Sequence, residues 1–68
     1  MKANWLIAAE ASEYNHVLAV LTKKQITILN RMDEIFVILI EATAAAIEPL
    51  KHMKGIIGIE PEGTVTVQ

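Results

Sequence analysis

The stretch QITILNRMDEIFVILIE, residues 25–41, decides the fold. Ile26 and Ile28 alternate with Thr27 and Leu29 in a β-branched run of period two, the pattern of a strand over residues 25–30. The polar cluster Asn30, Arg31, Met32, Asp33 and Glu34 marks a hairpin turn. A further strand follows, from Glu34 or Ile35 to Glu41, apolar enough to be buried on at least one face. A lone hairpin is not stable in water, so the flanking segments must extend its sheet and cover a face of it.

Both flanks have the means. Upstream, residues 3–9 place Trp5, Ile7 and Ala9 on one side and Leu6 and Ala8 on the other, as expected of a central strand. Ser12 is placed to cap a helix, with Glu13 favourable against its dipole. Tyr14, Val17, Leu18 and Leu21 then recur at i, i+3, i+4 and i+7, which puts Leu18 and Leu21 under the sheet. Lys23 and Lys24 end that helix where cations are favoured. Downstream, Thr43 can cap a second helix holding Ile47, Leu50 and Met53, with Gly55 as its C′ residue. Pro49 is compatible with this helix if the helix proper begins near Ala46 and the proline falls in its first turn. Ile56, Ile57 and Ile59 form a fourth strand, broken at Pro61-Glu62-Gly63, and residues 64–68 read as an extended tail.

The order is β, α, β, β, α, β. That is the split pattern of an α+β ferredoxin-like plait, expected here over residues 1–68 as a single domain. Such a domain is a four-stranded antiparallel sheet, strand order 4-1-3-2, with two helices on one face. Its other face is bare. Here that face carries a row of apolar side chains, so a covering partner or a homodimer is expected.

Composition narrows the function. The chain has 68 residues, no cysteine and a net charge of −2. Disulfides and thiolate metal sites are therefore excluded, and burial must supply the stability of a domain this small. It has the material: 53% of residues are hydrophobic and mean hydropathy is +0.39, more than a small monomer usually hides. Six dispersed Lys and Arg make no basic face for nucleic acid, and eight acids are too few for a DNA mimic. The longest apolar run, residues 35–40, falls far short of the about 20 residues that cross a bilayer. The start, with Lys2, Asn4 and Glu10, lacks the form of a signal peptide, and the cellular address stays open.

Catalytic sets are missing. Ser12 is the only serine, and neither His16 nor His52 has an acid in a triad-like arrangement. The two histidines are too far apart in sequence for a helical metal pair. His16 reads as a surface residue beside the apolar stripe, and His52 as a residue near the end of the second helix, where an imidazole suits the dipole. Asp33 and Glu34 could pair as acid and base in principle, but a solvated hairpin tip is not the setting that catalysis requires. None of Gly55, Gly58 and Gly63 opens a helix, so no phosphate loop exists. Trp5 reads as a core or interface anchor. No enzyme and no cofactor are expected.

The segment LKHMKGIIGIEPEGTVTVQ, residues 50–68, resembles the end of the subtilisin propeptides and their free-standing relatives, the small proteinase inhibitors of the same family. There a helix ends, a short strand of the type V-x-x-V-E-x-D follows, and an extended tail finishes the chain. Asn4-Trp5-Leu6-Ile7-Ala8 stands where the family has its first apolar strand. The resemblance implies the same βαββαβ fold. It also implies binding to a subtilisin-like serine protease as inhibitor or intramolecular chaperone, the bare sheet face packing on surface helices of the enzyme. On that basis Glu60 and Glu62 match the acids that cap those helices. Val65, Thr66, Val67 and Gln68 match the tail in the substrate cleft, with Gln68 in the first subsite and Val65 in the fourth. Pro61 stands where an acid is usual, and Lys23-Lys24 where glycines are.

Two other readings use the same residues. One is a small interaction or oligomerisation module, viral or regulatory, that captures another protein through its apolar sheet. The other is a small-molecule regulatory domain of the ACT type. Its ligand turn would fall at Glu10-Ala11-Ser12, which lacks the glycines expected there.

Overall fold

The computed structural model describes residues 2–63. Met1 and the expected tail, residues 64–68, lie outside the described residues. The first strand, β1 (Lys2–Ala9), leads through a 3₁₀ turn (Ala11–Glu13) into helix α1 (Tyr14–Lys23). Strands β2 (Thr27–Met32) and β3 (Val37–Thr43) follow. Helix α2 (Ala44–Ile47) then passes into a 3₁₀ helix (Glu48–His52), and β4 is Ile56–Pro61. The fold is α+β: an open four-stranded antiparallel sheet with two helical segments. The strands lie in the order β2-β3-β1-β4, which read from the other edge is β4-β1-β3-β2.

β1 is central because both of its faces are apolar, as its sequence requires. It pairs with β3 through Trp5↔Ile40, Leu6↔Leu39 and Ile7↔Ile38, and with β4 through Leu6↔Glu60, Ile7↔Ile59 and Ala8↔Gly58. This register stacks Ile7, Ile38 and Ile40 on one face, fully buried with Val17, Leu21, Ile47 and Leu50 of the helical layer. At about 25 cal/mol per Å² of apolar area removed from water, this cluster is the main source of stability. Trp5 is half-buried beside it and donates its indole N–H to the Ala42 carbonyl at 3.0 Å.

Several local expectations need correction. Ser12 caps no helix: it sits within the 3₁₀ turn, and α1 starts without a side-chain cap. Leu18 is only half-buried, whereas Tyr14, Val17 and Leu21 are buried, so the helix turns slightly away from the position expected of it. The hairpin turn falls at residues 33–36 rather than 30–34, and β3 accordingly begins at Val37. Asn30, Arg31 and Met32 stay in the strand after a register shift between Ile28 and Asn30. The shift adds a residue at the edge strand, as a bulge does. Phe36 closes the turn at φ 57°, with its carbonyl accepting from Ala9 N–H at 2.9 Å.

The ends of α1 and α2 show how local chemistry stops a helix. Gln25, at φ 62°, donates its N–H to the Thr22 carbonyl while Ile26 donates to Leu21, both at 3.0 Å. This paired arrangement satisfies the last carbonyls of α1, with Gln25 in the left-handed place that glycine usually fills. Thr43 caps α2 as expected, its Oγ1 accepting from Ala46 N–H at 3.2 Å. Pro49 does not lie in the first turn of α2. It lies at the start of the 3₁₀ helix, where its missing N–H costs no α-helical bond. Gly55 comes three residues after His52 and is no C′ residue. It is buried at φ 95°, its carbonyl accepts from Glu10 N–H at 2.8 Å, and an added Cβ would lie 2.5 Å from Cβ of Glu13. Only glycine lets the segment before β4 pass this close under the start of α1.

Candidate functional site

Strand alternation sends every second residue away from the helical layer. On that side β1 presents Asn4, Leu6 and Ala8, and β3 presents Val37, Leu39 and Glu41. β2 adds Asn30 and Met32, and β4 adds Gly58 and Glu60. None of these is buried, while their neighbours Ile7, Ile38 and Ile40 are 0% exposed. Among the described residues the sheet thus has one covered face and one open, largely apolar face, the latter half-screened by its own side chains.

Within the open face a depression of about 430 Å³ is lined by Leu6, Ala8, Val37, Ile57, Gly58 and Glu60. Its floor is low because Ala8 and Gly58, the two smallest residues here, are paired across β1 and β4. The register shift between Ala8 and Ala9 leaves Ile57 as the extra residue, 69% exposed at the rim. Sequence alternation located the face but not the hollow, which depends on where that irregularity falls.

Glu60 lies on the open face opposite Leu6 and is exposed. Glu62 is tied down at the same end of the sheet. Its Oε1 accepts from Nδ2 of Asn4 at 3.0 Å, and its N–H donates to the Asn4 carbonyl at 2.8 Å. The structure therefore places both acids against β1. Val65, Thr66, Val67 and Gln68 lie outside the described residues.

A second polar grouping was hidden from the sequence. The hydroxyl of buried Tyr14 donates to Oδ1 of Asp33, and Arg31 reaches the same carboxylate with Nε and Nη2 at 3.3 Å each. The Tyr14 hydrogen bond, with Arg31 aiding, holds the Asp33 carboxyl below the ordinary value; partial desolvation opposes it. Burial, with the same bond to Asp33, pushes the Tyr14 hydroxyl up. Acid and phenol are driven apart in pKa, so they are poorly matched for proton transfer near neutrality. The group fastens the β2–β3 turn to α1, helped by an edge-to-face contact of the Tyr14 and Phe36 rings at 5.4 Å. Tyr14 looked like one more core residue and Asp33 like a solvated tip. Their meeting across 19 residues leaves no trace in local pattern.

His16 and His52 are both exposed, and Ser12 lies in an exposed turn. Among the described residues no group of three or more His, Cys, Asp or Glu could hold a metal ion. No described helix is long and apolar enough to cross a membrane. No protein-family model, curated protein or solved structure matches this chain.

Proposed function

We propose that this chain is a protein-binding domain, an inhibitor or intramolecular chaperone of a subtilisin-like serine protease, built as a ferredoxin-like plait. It does no chemistry of its own. The observation that carries the reading is the open sheet face, where Leu6 faces Leu39 and Ala8 faces Val37 in register and, among the described residues, no helix lies over them. A small domain leaves such a strip uncovered when another surface is to cover it. The similarity of residues 50–68 to subtilisin propeptides names the partner class. Glu60 and Glu62 stand at the end of the face, against β1, from which the chain runs on into residues 64–68. The tail then lies in the substrate cleft, gaining main-chain hydrogen bonds as an added strand does.

The test is an inhibition assay with the intact chain and a version ending at Thr64. The intact chain is expected to inhibit at micromolar concentration or below. Removal of Val65 to Gln68 is expected to weaken inhibition by orders of magnitude while leaving the fold intact. If the intact chain inhibits none of several subtilisin-like enzymes and is digested by them, the protease reading is wrong.

The same open face supports a second reading, a general interaction module that dimerises. Sedimentation over rising concentration separates the two. Self-association together with no inhibition favours the module, and a monomer that inhibits favours the proposal above.

A further inference from the structure

We infer that the hollow on the open face receives a long basic side chain, arginine or lysine, projecting from the partner protein; this rests on the reading of that face as a protein-binding surface. The floor is made by Gly58 and Ala8, and a Cβ built on Gly58 meets nothing within 4 Å. Among the described residues nothing fills this space. Its walls are the aliphatic side chains of Leu6, Val37 and Ile57, and among the described residues its one charged lining residue is Glu60. Among the described residues no hydrogen bond or ion pair engages the Glu60 carboxylate, while the neighbouring acid Glu62 is taken by Asn4.

Apolar walls with a single carboxylate at the rim match a side chain that is aliphatic along its stem and cationic at its tip. A neutral apolar side chain would fill the walls but strip water from Glu60 without replacing it. An acidic one would be repelled. A second copy of this chain fits poorly, since among the described residues its open face offers Glu41 and Glu60 as acids and only Lys2, at the end of β1, as a base. Charge complementarity thus selects a partner surface of opposite sign over self-association.

The probes are N-acetyl-arginine methylamide and its neutral counterpart N-acetyl-norleucine methylamide, titrated into the intact protein with backbone amide shifts as readout. The arginine probe is expected to move the signals of Ala8, Gly58 and Glu60 and to bind about two- to fivefold tighter than the norleucine probe, the range of a solvent-exposed ion pair. Glu60→Gln, an exposed change that leaves the fold alone, should erase that preference. Gly58→Val should block both probes, with unchanged shifts in α1 showing that the fold is kept. Equal binding of the two probes, a preference that survives Glu60→Gln, or no shifts around Gly58 would overturn the inference. Protease inhibition is a separate readout. Inhibition without arginine preference sinks the hollow's assignment alone, and arginine preference without inhibition sinks the protease reading alone.

Discussion

Ile38 and Leu39 are adjacent in β3, similar in size, and live in different worlds. Ile38 is 0% exposed among helix side chains, whereas Leu39 lies half-exposed on the other side of the sheet between Leu6 and Asn30. The covered face holds the fold together. The open face costs little to alter and gains its worth only when something lies on it. A side chain's chemistry does not by itself say which duty it has; the side of the sheet it occupies does.

The largest effects are expected on the covered face. Ile38→Ala should destabilise by about 2–5 kcal/mol, the range for truncating a buried aliphatic side chain. Leu39→Ala, which gives up only part of a side chain's burial, should cost about 1 kcal/mol. Paired denaturant titrations check this, and equal losses would erase the distinction between the faces. Gly55→Ala comes next, at about 2–4 kcal/mol. The new Cβ meets Glu13, and the backbone at φ 95° is one that L side chains rarely adopt and only under strain.

Smaller and more informative is Tyr14→Phe, expected to cost about 1 kcal/mol by removing the hydrogen bond to Asp33. The pH dependence of that cost has a definite sign. Asp33 has its pKa lowered from 3.8, so its contribution is present above that pH and lost as pH falls through the folded value. Tyr14 has its pKa raised from 10.0, so its contribution is present below that pH and lost as pH rises through the folded value. The parent and Tyr14→Phe curves should therefore lie furthest apart between these limits and converge outside them. Thermal melts across pH measure it. The smallest effect is Gln25→Gly, expected to stabilise by about 0.5 kcal/mol, because relief of the left-handed backbone slightly exceeds glycine's entropy cost.

The architecture was legible because it rests on period. Alternation in residues 3–9 and the helical stripe from Tyr14 to Leu21 depend on neighbours in sequence; the first holds in β1, and the second holds in α1 at Tyr14, Val17 and Leu21 but not fully at Leu18. The open face followed from the same alternation. What failed depends on contacts distant in sequence. The turn moved to residues 33–36 because Phe36 and Asp33 find Tyr14, and Gly55 serves a close passage under Glu13 rather than a helix end. The hollow was illegible because it needs the β1–β4 register as well as the small residues that floor it. Of the candidate residues, Glu60 and Glu62 are seen against β1, and Val65 to Gln68 fall outside the described residues.

The most direct test of the two-faced account is the inhibition constant of Leu39→Asp beside that of the parent chain, against a subtilisin-like protease that the parent inhibits. Leu39 is exposed enough for the carboxylate to reach water in the free protein, so the fold should be kept with melting lowered by about 5–10 °C. In a complex the charge would be buried unpaired against the partner, and inhibition should fall by about 100-fold or more. Undiminished inhibition by Leu39→Asp would contradict the account, because the open face would then not be where the partner sits.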